Sequence, residues 1–208
     1  MRREFEPLPI RELGAGAGFH RPTQAQAARV TLESPALQVM TDLARVSPAT
    51  IRPQAPLSGA NRFMITRGVR LLLVVDEEHE TVLGVITSTD ILGERPMLVA
   101  TERGMRRDEL TVADIMVPAA QVEVIALSDL AGMRVGHVLE TLRHAGRQHA
   151  LVVDFDEIPS GRALTPPGRR AMVRGIFSLS QIARQLGVSV STGGEVARTF
   201  SEIGAAIK

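Results

Sequence analysis

Gly68-Val69-Arg70-Leu71-Leu72-Leu73-Val74-Val75-Asp76 is the stretch on which the fold turns, because it returns 78 residues later as Gly146-Arg147-Gln148-His149-Ala150-Leu151-Val152-Val153-Asp154. Each copy leads into a second matching stretch, Leu83-Gly84-Val85-Ile86-Thr87-Ser88-Thr89-Asp90-Ile91 in one case and Arg174-Gly175-Ile176-Phe177-Ser178-Leu179-Ser180-Gln181-Ile182 in the other. An internal duplication says that one supersecondary unit was built twice and that the copies pack together. The continuous apolar run Leu71 to Val75 marks a strand covered on both faces.

Working outward, each copy obeys one grammar. In the first, Thr50-Ile51 is a short extended piece closed by Pro53 and Pro56. Leu57, Ala60, Phe63 and Met64 then form a helical stripe, stopped by Gly68 where a left-handed C-cap is favoured. Asp76 to Glu80 is a polar turn, Thr81 to Ile86 a returning strand, and Thr87 to Leu92 a second helix. In the second copy, Val122 to Leu127 is the short strand, and Val135, Val138, Leu139 and Leu142 give the i, i+3, i+4, i+7 stripe ended by Gly146. Ala150 to Val153 and Met172 to Phe177 form its hairpin; Ile182, Ala183 and Leu186 face inward from the last helix, which Gly187 ends. Each unit reads strand, helix, strand, strand, helix. One three-stranded sheet with a single helical layer cannot bury its apolar residues alone, so an α/β (α+β) fold of two βαββα units about a pseudo-twofold axis is expected.

The expected organisation is an N-terminal extension over 1–35, a first repeat over 36–98, a linker over 99–107 and a second repeat over 108–188. A C-terminal linker and amphipathic helix with Val196, Phe200, Ile203 and Ile207 follow over 189–208. Asp76 and Gly84 are 8 residues apart but Asp154 and Gly175 are 21 apart, so the second hairpin carries 13 extra residues. That insertion, at about 155–172, holds Pro159, Gly161, Pro166, Pro167 and Gly168 and is expected to be an exposed loop. Gly14-Ala15-Gly16-Ala17-Gly18 follows no strand pattern, so a connector suits it better than a nucleotide loop; Gln24 to Arg29 is a weak helix candidate.

Composition narrows the function classes. The 208 residues are 44% hydrophobic and 23% charged, ordinary for a globular protein, and suffice for a real core. A net charge of +1 gives no overall field favouring nucleic acid or an anionic membrane. The absence of cysteine excludes disulfides and zinc-cysteine sites. With no tryptophan or tyrosine, the stacking platforms of single-strand nucleic-acid binders are missing. No apolar run approaches the ~20 residues of a membrane span and no signal peptide follows Met1, so a cytoplasmic protein is expected.

Thr50-Ile51-x-Pro53, Gly68 through Asp76, and Gly84-x-x-Thr87-x-x-Asp90, in this order and twice over, resemble a tandem pair of CBS domains (a Bateman module) of the stand-alone bacterial type. The resemblance covers about residues 36–98 and 108–187. It implies a regulatory module whose inter-repeat cleft takes an adenosine-containing ligand (AMP, ADP, ATP or a relative), with no cofactor required. It also implies a homodimer and a separate downstream protein that receives the output. Departures from the family are Leu73 and Leu151, where proline is common, and Gln181 in place of a closing aspartate.

Thr87 and Asp90 open a helix, where unpaired backbone N–H groups and partial positive charge suit a phosphate. The resemblance gives Asp90 the ribose diol and Thr87 a phosphate oxygen. The same Thr-x-x-Asp is equally a capping box, whose side chains satisfy the helix's own backbone. Ser178-x-x-Gln181 is also a good capping box, but a neutral amide cannot offer a diol two anionic acceptors. The first site is therefore expected to bind and the second to be weaker, differently tuned or empty. The resemblance puts Ile51, Leu72, Ile125 and Ala150 at the walls of the base, or else in ordinary core, and Arg70 and His149 near phosphates.

Two other clusters carry less. His137, Glu140 and His144 share one helix face at metal-site spacing, but that face lies opposite the apolar stripe and should point to water. The arginines of the long loop, Arg162, Arg169, Arg170 and Arg174, suit solubility as well as an acidic partner. No nucleophile with a recognisable base stands out, so an enzyme is not expected. The alternative to a sensor is a structural interaction protein that acts through homodimerisation with both clefts closed.

Overall fold

The structure, a computed structural model, describes residues 30–76, 78, 81–157, 169–188 and 200–204. The Gly14–Gly18 connector, the Gln24–Arg29 segment, most of the 77–80 turn, the tip of the long hairpin and the 189–199 linker lie outside the described residues. The strands are β1 (Thr41–Asp42), β2 (Thr50–Ile51), β3 (Leu71–Asp76), β4 (Thr81–Thr87), β5 (Val117–Pro118), β6 (Val124–Ala126), β7 (His149–Glu157) and β8 (Arg169–Ser178). The helices are α1 (Leu57–Arg67), α2 (Ser88–Leu92), α3 (Arg95–Arg103), α4 (Val112–Ile115), α5 (Val135–His144) and α6 (Leu179–Gln185). A further helical stretch covers 200–204. No helix among the described residues is long and apolar enough to cross a membrane.

The two units are β2-α1-β3-β4-α2 and β6-α5-β7-β8-α6. In each, the short strand runs parallel to the central one and the hairpin partner antiparallel. The helix stops fall at Gly68 (φ 65°) and Gly146 (φ 62°), where a left-handed turn reverses the chain into the central strand. Side chains alternate along β3. Leu72 and Val74 enter the first unit's core with Leu57, Ala60, Met64 and Ile86, while Leu71 and Leu73 meet Val85 and Leu151 between the two sheets. That alternation is why the run is apolar throughout. Leu73 and its counterpart Leu151, at the family's frequent proline positions, are both buried in the seam where the halves join about their pseudo-twofold axis.

Each sheet has four strands instead of the expected three. The orders are β2-β3-β4-β5 and β1-β8-β7-β6. The fourth strand comes in each case from the lead-in of the other unit: β1, just inside the first repeat, pairs antiparallel with β8, and β5, inside the second, pairs antiparallel with β4. Core residues follow. Ala36 and Val39 are fully buried in the second unit's core, and Leu110, Val112 and Ile115 in the first unit's. The repeat itself prepares the exchange. Both central strands carry a bulge at equivalent places, Val74/Val75 and Val152/Val153, opposite the equivalent glycines Gly84 and Gly175. A Cβ on Gly84 would lie 2.3 Å from the Val117 carbonyl oxygen of β5, and one on Gly175 2.4 Å from the Met40 sulfur beside β1. Glycine is what lets the visiting strand approach.

Two further expectations change. The 99–107 stretch is not a plain linker: α3 begins at Arg95, runs into it to Arg103 and packs on α2 and α4. The long hairpin insertion begins as a continuation of β7 and β8, with Phe155 opposite Ala171, and not as a loop. Ile203 of the C-terminal helical stretch is buried against α5, with Phe200 partly buried beside it.

A candidate ligand site between the two units

The two helix starts that look alike in sequence are built differently. At α2 the capping box closes on itself: the Thr87 N–H donates to Asp90 Oδ2 at 2.8 Å, the Thr87 hydroxyl donates to the same oxygen at 2.6 Å, and the Asp90 N–H donates to Thr87 Oγ1 at 3.3 Å. Arg95 stands 3.9 Å from the other Asp90 oxygen. Thr87 and Asp90 thus serve their own helix, and neither lines the two cavities described below.

At α6 no such box forms, contrary to the expectation for Ser178 and Gln181. Gln181 Oε1 instead accepts from the Thr41 hydroxyl at 2.9 Å, and the Ser178 hydroxyl lies 3.1 Å from that of Ser180. The physical cause is the exchanged strand. β1 lies along β8 with Thr41 opposite Ile176, close enough to draw the amide away from its own backbone. With its oxygen occupied, the amide presents its NH2, a pair of donors.

Those groups line a cavity of about 760 Å³ between the units. Thr41, Leu43, Val46 to Ala49 and Arg67 to Leu71 come from the first half of the chain, and His149, Ile176, Ser178, Ser180, Gln181, Arg184, Gly187 and Val188 from the second. The size suits a small-molecule site. Three arginines and a histidine face it, and among the described lining residues none is acidic. His149 opens β7 opposite Ser178. Burial, and then the charge of Arg70, depress its pKa to about 4, so the imidazole is neutral near pH 7.

Of the residues singled out in the sequence, the structure brings Arg70, His149, Ser178 and Gln181 together around this cavity. Ile51 lines a separate hollow of about 480 Å³ with Phe63. Leu72 is corrected from cavity wall to core: it is fully buried beneath the helices of the first unit. Ile125 and Ala150 are half-buried against the second unit's core and line neither cavity. Sequence reading missed Thr41, Arg67 and Arg184. Arg184 stands three residues after Gln181 on one helix and was findable by spacing; Thr41 arrives only by strand exchange. On α5, His137 Nδ1 accepts from the Arg134 N–H at 3.0 Å, and Glu140 is ion-paired to Arg143, which lowers the pKa of its carboxyl.

Fold and comparison together define the class. A family model for the CBS domain matches residues 38–96, which span the first unit's strands and its first two helices, and the second unit repeats that architecture, the arrangement seen in CBS-domain pairs. Among solved structures, an uncharacterized conserved protein from Pyrococcus horikoshii is similar at 21% identity and a TM-score of 0.51, over 79% of this chain and 100% of that one. The Arabidopsis thaliana CBS-pair protein CBSX2, in complex with AMP, is similar at 17% identity and a TM-score of 0.46, over 73% and 94%. A CBS domain pair in complex with 5′-methylthioadenosine and S-adenosyl-L-methionine is similar at 20% identity and a TM-score of 0.46, over 74% and 96%. At such identities the first likeness concerns the fold, and the ligands are those proteins' own. No curated protein matches the sequence.

Proposed function

We propose that the chain is a regulatory binding module rather than an enzyme, and that it holds an adenosine-containing nucleotide in the cavity between its two units. Occupancy would pass to a separate protein through a change of shape or association, which a ligand can drive only by binding the two states unequally. The observation that carries this reading is the opened helix start at α6. Where α2 spends its polar pair on itself, Ser178 and Gln181 turn toward a cavity faced by Arg67, Arg70 and Arg184. Donors and positive charge without a carboxylate suit phosphate oxygens. The reading moves the expected site from Asp90 to Gln181 and its neighbours.

The test is a thermal-shift and titration series with AMP, ADP and ATP on the wild type, Arg184→Glu and Asp90→Ala. A ligand at 100 times its Kd adds about 2.7 kcal/mol of apparent stability, so the wild type should melt measurably higher. Arg184→Glu should abolish the shift and Asp90→Ala should keep it. The opposite pattern would put the ligand at α2, and no shift with any of the three would reject the sensor. One observation favours the second reading, an interaction protein acting through homodimerisation. Ile65 on α1 and Leu92 on α2 are 73% and 65% exposed, and Met97 and Leu98 extend the apolar surface onto α3.

A further inference from the structure

The cavity is unusual in how its charge is arranged around one titratable group. His149 lines it with Arg67 from the end of α1, Arg70 from the turn into β3 and Arg184 from α6. Across the ladder, Ser178 of β8 stands opposite it and lines the same cavity, and β1 contributes Thr41. The acid beside Thr41, Asp42, is held by Arg174 and Arg45. A positive imidazole here would be a fourth cation in a half-buried space that already holds three. A phosphorylated ligand reverses the sign of that local field.

Resting on the nucleotide reading above, we propose that the cavity selects a polyphosphorylated ligand and that His149 takes up a proton as the ligand enters, becoming a fourth cationic contact to it. The proton comes from the buffer and adds to the free ring nitrogen; no covalent bond to the ligand forms. Binding is therefore proton-linked. In the empty protein His149 is neutral down to a pKa of about 4. In the complex, phosphate charge opposes both Arg70 and the burial penalty and returns the group toward its ordinary value of ~6.5. Since the bound form has the higher pKa, affinity rises as pH falls through that value. With those two values the gain is roughly tenfold between about pH 7.5 and 5.5. A neutral nucleoside draws no proton and gains nothing.

The experiment is calorimetric titration of the whole protein with ATP near pH 6.5, in two buffers of different ionisation enthalpy, repeated with His149→Gln and with adenosine. His149→Gln reports the protons that ATP itself exchanges. The wild type should take up about half a proton more than the variant, and its affinity should carry the additional tenfold pH dependence. A proton NMR titration of the histidine ring signals with and without ATP needs no variant, and one resonance should move its midpoint up by about 2.5 units. Binding of ATP with equal proton uptake in both proteins, or with no histidine midpoint moving, overturns this inference and leaves the nucleotide reading intact. Binding of adenosine as tight as ATP overturns the selectivity. Failure of AMP, ADP and ATP alike to bind overturns the reading on which the inference rests.

Discussion

A single side chain shows how position sets chemistry. His149 matches Leu71 in the repeat and lines the same cavity, but as an imidazole buried near Arg70 it titrates well below an ordinary histidine. Unfolding frees it to bind a proton at a pKa of ~6.5. Between about 6.5 and 4 the unfolded chain therefore holds more protons than the folded one, and stability of the empty protein falls as pH is lowered through that window. Denaturant melts at stepped pH should show the decline, and His149→Gln should flatten it. An identical decline in the variant would place the acid sensitivity elsewhere. Asp114 acts at lower pH. The Thr111 backbone N–H, its hydroxyl and Arg103 hold that carboxyl below its usual range, so its contribution is present above ~3.9 and is lost as pH falls further.

At the scale of elements, the exchanged strands depend on two glycines that differ in tolerance. A methyl on Gly84 would press on the backbone oxygen of Val117, which cannot move without dragging β5 off β4. On Gly175 it would press on the Met40 side chain, which can swing aside. Overpacking costs typically ~1–3 kcal/mol. Gly84→Ala should fall at or above the top of that range and Gly175→Ala near the bottom, measured by chemical denaturation. Equal costs would mean that β5 yields as easily as a methionine. The same contacts decide the candidate site. Without β1 beside β8, Gln181 would have no Thr41 to accept from and could cap its own helix as Asp90 does.

For the whole molecule, exchange of lead-ins makes the halves one cooperative body. Leu110 belongs by sequence to the second repeat but is buried in the first unit's core. Leu110→Ala should cost about 2–5 kcal/mol and lower a single transition that both units share. A calorimetric trace with two separated transitions, or a loss confined to one of them, would show that the halves melt independently.

The amino-acid order alone determined the duplication, the βαββα grammar, the helix stops at Gly68 and Gly146 and the doubly covered strands. Those features rest on short-range steric and periodic rules that act within a few residues. The repeat also marked Ser178 and Gln181 as the counterparts of Thr87 and Asp90, and the resemblance to CBS domains marked Arg70 and His149. Only the tertiary structure decided which lead-in completes which sheet, because the two-residue strands Thr41–Asp42 and Val117–Pro118 are too short to carry a periodic pattern and both sheets offer them the same bulge and glycine. It likewise decided which Thr/Ser pair closes on its helix and which opens to a cavity. That outcome depends on Thr41, 140 residues from Gln181 in sequence, and hydrogen bonds between such distant groups leave no mark in local spacing.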